Sequence, residues 1–346
     1  MERARPIDGL RCLVTGSAGF VGSNLVRALL ARACFVHGFD RAPALADDPN
    51  LRWFCGDVRD EEALREACQG VDTIFHTAAM IETLTYAPKP FAALVRSVNI
   101  EGTRIVLRIA REAGVRRLVH TSSIIAAGGG EHRGGSESAP YSTAPDLYST
   151  TKVASEQIVL AANGESGLLT CAIRPGGIYG PGERNTFIGP MIKALKQGVP
   201  IVVFGDGSTR MDYTYIDNLV DAQIRAAERL VEGSAVCGQA YFVTDGDPIN
   251  TGAFSQTLVS DMGLDTRSIR VPGPVARSLA KAGERVFQVF GRPKPPVSIV
   301  DVQLCVRDSY FSIDRARRDL EYHPIVDTRE GLRRTARDAR DYYDSL

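Results

Sequence analysis

Through the first half of the chain, short unbroken apolar runs alternate with stretches whose apolar residues return every three or four positions. A short apolar run suits a strand buried on both faces, and a 3.6-residue period marks one buried face of a helix. Residues 12–14 form the first run, and Phe20, Val21, Leu25, Leu29 and Leu30 follow at helical spacing. Further runs at 35–39, 52–55, 73–79, 117–123 and 168–173 predict five more strands. Helical patterns at 61–68, 91–113 and 148–163 fall between them. This alternation predicts an α/β protein, a Rossmann-type doubly wound parallel sheet with its ligands at the carboxyl ends of the strands.

Beyond Gly180 the pattern loosens. Pro181, Gly182, Pro190, Pro200, Gly205 and Gly207 break it into short pieces. Residues 217–230 read as a helix, and 240–243 as a strand returning to the sheet. The expected organisation is a dinucleotide-binding domain over 1–180, with 211–246 returning to it. A smaller, mixed substrate-binding lobe would comprise 181–210 and 247–346. Within that lobe Val275, Leu279, Ala282, Val286 and Val289 share one helical face, and Arg277, Lys281 and Arg285 another. A basic amphipathic helix can lie on a membrane surface or close over a cavity as a lid. The lid is the favoured expectation.

Composition narrows the function. The 41 basic residues balance the 41 acidic ones, which gives no sign of a nucleic-acid partner. The basic set is 35 Arg and only 6 Lys, so each lysine is worth locating. Seven scattered cysteines, none in a Cys-x-x-Cys pair, predict neither a metal site nor a disulfide. The opening six residues lack the apolar core of a secretory signal. No uncharged apolar run reaches the ~18 residues of a membrane span. The expected location is the cytoplasm, with association to a membrane surface as the open alternative.

Gly16, Gly19 and Gly22 lie at spacing three where the first strand turns into the first helix. Glycine there permits a tight turn, close approach of backbone to a phosphate, and close packing of helix on strand. The N–H groups at the helix start, including those of Phe20, Val21 and Gly22, and the positive end of its dipole suit a pyrophosphate. The second strand ends in Asp40, 18 residues after Gly22. That is close to the ~20 expected for the acid that binds the adenosine ribose. Its charge predicts NAD rather than NADP, a preference that Arg41 beside it would soften.

Tyr148 and Lys152 stand four apart in the helical stretch 148–163, hence on one face. A nearby ammonium favours the phenolate, so the lysine is expected to lower the tyrosine pKa from about 10. A tyrosine so tuned acts as acid or base toward an alcohol or carbonyl. Ser123, at the end of the fifth strand, is placed to hold the substrate oxygen. Side chains alternate along a strand, so only one of Ser122 and Ser123 should face the site.

These residues carry a resemblance. The set Thr15-Gly16-x-x-Gly19-x-x-Gly22, Asp57-Val58, His76-x-Ala78-Ala79, Val98-Asn99-Ile100-Glu101-Gly102-Thr103, Thr121-Ser122-Ser123, Tyr148-x-x-x-Lys152 and Arg174-Pro175-Gly176 is similar to the extended short-chain dehydrogenase/reductases. Stretches 72–79, 119–124, 169–175, 238–242, 310–313 and 316–320 resemble the 3β-hydroxysteroid dehydrogenase/isomerase family, its bacterial members especially. The resemblance implies an NAD-dependent oxidoreductase acting on the 3β-hydroxyl or 3-oxo carbon of a steroid-like alcohol, with double-bond isomerisation in some members, and a homodimer. It implies that Ser123, Tyr148 and Lys152 are catalytic, with Lys152 and Tyr148 also at the nicotinamide ribose. Asp57 and Val58 would contact the adenine. Thr77, Ala78 and Ala79 would line the middle of the cofactor, and Pro175, Gly177 and Ile178 would flank the nicotinamide. Asn99 would support the lysine through water or touch the substrate, and His76 would be structural.

One stretch departs from the steroid pattern. Residues 203–213 resemble the nucleotide-sugar epimerases and dehydratases of the same branch, where an arginine matching Arg210 grips a nucleotide phosphate. The bland reading of Arg210 is an ion pair with an acidic neighbour. A non-catalytic NAD(P)-sensing regulator is a third reading, disfavoured by the Tyr148–Lys152 pair.

Overall fold

The computed structural model describes residues 4–44, 47–128 and 130–346. Three of the residues read for a secretory signal, Met1, Glu2 and Arg3, lie outside that set. The elements up to residue 175 are β1 (Arg11–Thr15), α1 (Phe20–Ala31), β2 (Phe35–Asp40), β3 (Leu51–Cys55), α2 (Glu61–Ala67), β4 (Thr73–His76), α3 (Lys89–Arg96), α4 (Gly102–Glu112), β5 (Arg117–Thr121), β6 (His132–Gly135), α5 (Leu147–Ala161) and β7 (Leu169–Pro175). There follow β8 (Gly177–Tyr179), α6 (Ile188–Lys196), β9 (Ile201–Phe204), β10 (Arg210–Met211), β11 (Tyr213–Tyr215), α7 (Ile216–Arg229), β12 (Ala240–Val243), β13 (Ile249–Asn250), α8 (Thr251–Asp261), β14 (Ser268–Val271), α9 (Gly273–Phe290), α10 (Ile299–Cys305), β15 (Ser309–Phe311), α11 (Asp314–Leu320) and α12 (Thr328–Ser345).

Seven strands make one parallel sheet in the order β12-β7-β5-β4-β1-β2-β3. The order reverses beside β1, the switch point at which a doubly wound sheet opens a crevice. β1, β4, β5, β7 and β12 are buried along almost their whole length, which is why they read as apolar runs rather than alternations. Two apolar layers sandwich the sheet. One joins Val14, Val36, Val119 and Ile173 to α1 and α7 through Leu25 and Leu219; the other joins Leu13, Ile74 and Leu118 to α4 through Val106 and Ile109.

A second, four-stranded sheet runs β13-β10-β15-β6. Its strands are two to four residues long and come from four distant parts of the chain. β6 lies between β5 and α5 in sequence, so the first half of the chain contributes a strand to this sheet. The two sheets meet where Phe311 of β15 stacks on Phe242 of β12, with ring centres 4.2 Å apart.

Candidate active site

β1 delivers the chain into a glycine turn held against β2 and β4. Gly16 has φ +73°, and a Cβ there would come within 2.8 Å of Ala78 Cα. A Cβ on Gly22 would sit 2.1 Å from the Gly16 carbonyl oxygen. Both positions therefore need glycine for backbone-to-backbone approach. Gly19 heads α1 without a side-chain cap, and no acid stands in the first turn. The N-terminal N–H groups of α1 thus keep their capacity for an anion.

Asp40 ends β2 with its carboxylate turned on this loop. Oδ2 accepts the Ala18 N–H at 3.0 Å and Oδ1 the Ala42 N–H at 3.0 Å. Arg41 is exposed beside it. Farther along the sheet edge Asp57 takes two bonds from Arg59, each 2.8 Å, and they pull its carboxyl below the usual range. Val58 is buried and packs where Gly102 leaves room. Thr77 donates to the Thr15 carbonyl at 2.7 Å, and Ala78 N–H points to the Thr15 hydroxyl at 3.4 Å. Pro175 closes β7, and Gly177 and Ile178 pair with Tyr213 and Thr214 across β8 and β11.

α5 begins at the carboxyl end of β5, capped by Asp146, which accepts the Ser149 N–H at 2.8 Å. Tyr148 and Lys152 lie on one face, with Nζ 5.8 Å from the tyrosine ring centre. Lys152 is buried and donates to the Thr121 carbonyl at 2.7 Å. Ser123 stands close enough to Tyr148 to stabilise its phenolate by a hydrogen bond. Its Oγ also accepts the Ile125 N–H at 3.3 Å. Ser122 is buried, and its hydroxyl has no partner among the described residues.

The electrostatics differ from the sequence expectation. Burial pushes the Tyr148 phenol up to about 12, and the Ser123 bond opposes this only in part. Burial also pushes Lys152 down to about 8, with Glu156 one turn on pulling the other way. Spacing predicts the helix face but not the desolvation, which here outweighs the lowering influence of the Ser123 bond.

Two supports surround this pair: Asn99, which the sequence motif singles out, and Glu156, which it does not. Asn99 sits in a π-helical turn, Ser97–Glu101, and its side chain accepts from Met80 N–H at 2.7 Å. Its amide donates to Met80 O at 2.9 Å and to Thr151 Oγ at 3.0 Å. Asn99 thus ties the exit of β4 to α5 at the residue next to Lys152. Glu156 is fully buried and pairs with Arg174 at 2.9 and 2.5 Å, with the guanidinium 5.5 Å from the Tyr141 ring and 5.2 Å from the Phe242 ring. His76 is held between Thr15 Oγ at 2.8 Å and Thr103 Oγ at 3.0 Å, and burial lowers its pKa to about 3. It is neutral and inside the core, where a structural histidine belongs.

A model of the 3-beta hydroxysteroid dehydrogenase/isomerase family matches residues 13–273. The chain belongs to this family. A 3 beta-hydroxysteroid dehydrogenase/Delta 5→4-isomerase of Mycobacterium tuberculosis is 41% identical, covering 97% of this chain and 91% of its own. A human sterol-4-alpha-carboxylate 3-dehydrogenase, decarboxylating, is 32% identical over 98% of this chain and 91% of its own. Among solved structures, the dTDP-glucose 4,6-dehydratase of Streptomyces venezuelae with NAD bound is 25% identical at TM-score 0.75, covering 97% of this chain and 99% of its own. An epimerase of Methanothermobacter thermautotrophicus shares the fold at TM-score 0.78 and 24% identity, over 98% of this chain and 94% of its own.

In this hydroxysteroid dehydrogenase family member, a cavity of about 380 Å³ opens beside the start of α5. Ala144, Pro145 and Asp146 form one wall, Thr85 and Tyr86 a second, and α9 with α10 the roof. The roof is pinned by Glu284, the one acid of α9. Fully buried, it accepts N–H groups from Thr85 at 2.9 Å, Tyr86 at 2.8 Å and Ile299 at 2.8 Å.

Arg210 lies on the surface. Its guanidinium stacks on the Tyr310 ring at 4.5 Å and donates to the Tyr310 hydroxyl at 2.6 Å. The expected acidic partner of its side chain is replaced by this aromatic one; Asp308 instead accepts the Arg210 backbone N–H at 2.8 Å.

Proposed function

We propose that the chain is an NAD-dependent dehydrogenase of the 3β-hydroxyl of steroid-like alcohols. The observation that carries this reading is the convergence of Tyr148, Ser123 and buried Lys152 at the carboxyl end of β5, beside a cavity roofed by α9 and α10. In oxidation the Ser123 hydroxyl and the Tyr148 oxygen, present as the phenolate, hold the 3-hydroxyl between them. As the C3–H bond breaks, Tyr148 takes the hydroxyl proton. In the reverse direction it returns that proton to the 3-oxo oxygen. Lys152 supplies positive charge behind the phenolate, and Asn99 keeps the Lys152 turn in place through Thr151.

The residues fit a dinucleotide. The Gly16–Gly22 cradle has no room for a Cβ, α1 offers an uncapped N-terminus, and Asp40 retains lone pairs toward a ribose. A bound NAD would supply the hydride acceptor for C3. In this reading residues 1–180 with 211–246 hold the cofactor, and 181–210 with 247–346 shape the substrate side. Gly16, Gly19, Phe20, Val21 and Gly22 face the pyrophosphate, Asp40 and Arg41 the ribose, and Asp57 and Val58 the adenine. Thr77, Ala78, Ala79, Pro175, Gly177 and Ile178 line the rest. A homodimer and peripheral contact with a membrane surface belong to the same proposal.

The test is NAD reduction by the purified chain against 3β-hydroxysteroids and, separately, UDP- and dTDP-sugars. Turnover of a 3β-hydroxysteroid with no reaction of the sugar nucleotides is the expected result. Activity confined to the sugar nucleotides would replace this reading with an epimerase or dehydratase.

A further inference from the structure

The roof of the cavity beside α5 is rich in positive charge that the chain itself does not answer. From 273 to 305 the sequence carries Arg277, Lys281, Arg285, Arg292 and Lys294 against two acids, Glu284 and Asp301. Both acids are committed to backbone. Glu284 is buried and accepts the N–H groups of Thr85, Tyr86 and Ile299. Asp301 accepts the Ser298 N–H at 2.8 Å in the capping box of α10. Lys294 finds its partner outside the segment, in Glu82 at 2.7 Å. Arg285 stacks on the Tyr86 ring at 3.6 Å. Arg277 and Lys281 have neither hydrogen bond nor ion pair among the described residues.

These two cations stand four apart, hence on one face of α9, and both line the cavity. Both are exposed, so they mark the end of the cavity that meets solvent. The catalytic end has the opposite character: Lys152 is buried, and burial dominates the Tyr148 phenol. Tyr86, Ala144, Pro145, Ile299 and Val300 give the cavity apolar walls. The one acid in the lining, Asp146, is buried and caps α5 through the Ser149 N–H, so it does not neutralise the pair at the mouth.

Cations elsewhere in the chain are answered by acids, as in Arg174–Glu156, Arg184–Asp338 and Arg333–Glu330. At the cavity mouth that acid is left for the ligand to bring. A steroid with C3 at Tyr148 and its rings against the apolar walls presents its far end to Arg277 and Lys281. A carboxylate there accepts charge-assisted hydrogen bonds from both, and a neutral sterol leaves both unused.

We propose that Arg277 and Lys281 bind a carboxylate at the end of the steroid remote from C3. The preferred substrates are then 3β-hydroxysteroid acids rather than neutral sterols. The proposal rests on the dehydrogenase reading and narrows its substrate class.

The experiment uses the full chain with NAD at pH 7. The probes are a 3β-hydroxysteroid with a carboxylic acid at the end of its side chain and the same steroid reduced there to the primary alcohol. Binding is measured by titration calorimetry and kcat/KM by NAD reduction. An exposed ion pair contributes about threefold, so two should make the acid bind about tenfold more tightly than the alcohol. The same factor should appear in kcat/KM, through KM, and should shrink at high salt. Arg277→Gln/Lys281→Gln should bring the acid-to-alcohol ratio to about one, and Arg277→Glu/Lys281→Glu should invert it. Both side chains are exposed, and an unchanged thermal midpoint checks that each variant is folded. Equal affinity of the native chain for acid and alcohol overturns the proposal, as does a preference that survives in the glutamine variant. So does tighter binding of a UDP-sugar than of the steroid acid, lost in the same variant, because the cations then serve a nucleotide phosphate. Selective binding of the acid that the variants abolish, with no turnover of either steroid, overturns the dehydrogenase reading and leaves the carboxylate site standing.

Discussion

Lys152 donates to the carbonyl oxygen of Thr121 at 2.7 Å, binding α5 to the end of β5. The bond fixes the ammonium behind Tyr148 at the strand end next to Ser123. The same burial that fixes it lowers its pKa to about 8. A group with a lowered amine pKa is charged below that value and neutral above it. Lys152→Met should therefore cut kcat by about 10²-fold at pH 7, the low end for loss of a positioned acid–base partner. The gap between native and variant should narrow as pH rises through about 8, where the native lysine loses its own charge. Rate profiles from pH 6 to 10 check this; a constant gap would mean that Lys152 acts by shape alone.

Tyr148→Phe should keep cofactor binding and thermal midpoint and lose turnover by ~10²–10⁴-fold. The substitution removes the hydroxyl that bonds Ser123, while the ring fills the same space. Retention of more than about a third of the native kcat would remove Tyr148 from the proton-transfer role.

Asp40 should set the cofactor choice. Its carboxylate faces the glycine loop through Ala18 N–H and repels a 2′-phosphate. Asp40→Ala should narrow the NAD over NADP preference in kcat/KM by about tenfold, a ~1.4 kcal/mol change. Part of the change should come from weaker NAD binding, because the Ala18 bond goes too. A native preference for NADP would shift the argument to Arg41.

Glu284→Gln tests the roof. One amide cannot accept all three N–H groups, so Thr85, Tyr86 or Ile299 loses its partner at about 1–3 kcal/mol. KM for a hydroxysteroid should rise about threefold or more with kcat nearly unchanged, and the thermal midpoint should fall. Unchanged KM and midpoint would show that these bonds do not hold the roof.

Arg210→Ala should leave KM for a hydroxysteroid within about threefold, since its guanidinium is engaged with Tyr310 at the surface. In a nucleotide-sugar enzyme the same truncation would remove a charge-assisted phosphate bond, worth about 2 kcal/mol. A large KM effect would favour that alternative.

The sequence by itself determined what is local. Runs and periods placed the seven strands of the main sheet and the helices between them, because burial on both faces or on one face leaves a mark within a dozen residues. Glycine spacing at 16, 19 and 22, and the four-residue step from Tyr148 to Lys152, are helix and turn geometry written directly in the order of residues. Only the tertiary structure decided what depends on closure of the chain. The sheet β13-β10-β15-β6 is assembled from strands too short to show a period. That Glu156, Arg174 and Glu284 are buried is set by packing alone. The same burial raised Tyr148 and lowered Lys152, since desolvation is set by everything that surrounds a group and not by its neighbours in sequence. And the stripe on α9, equally apolar in sequence whether it faces core or solvent, was left outside because Ala276, Ala280 and Phe287 took the inner face.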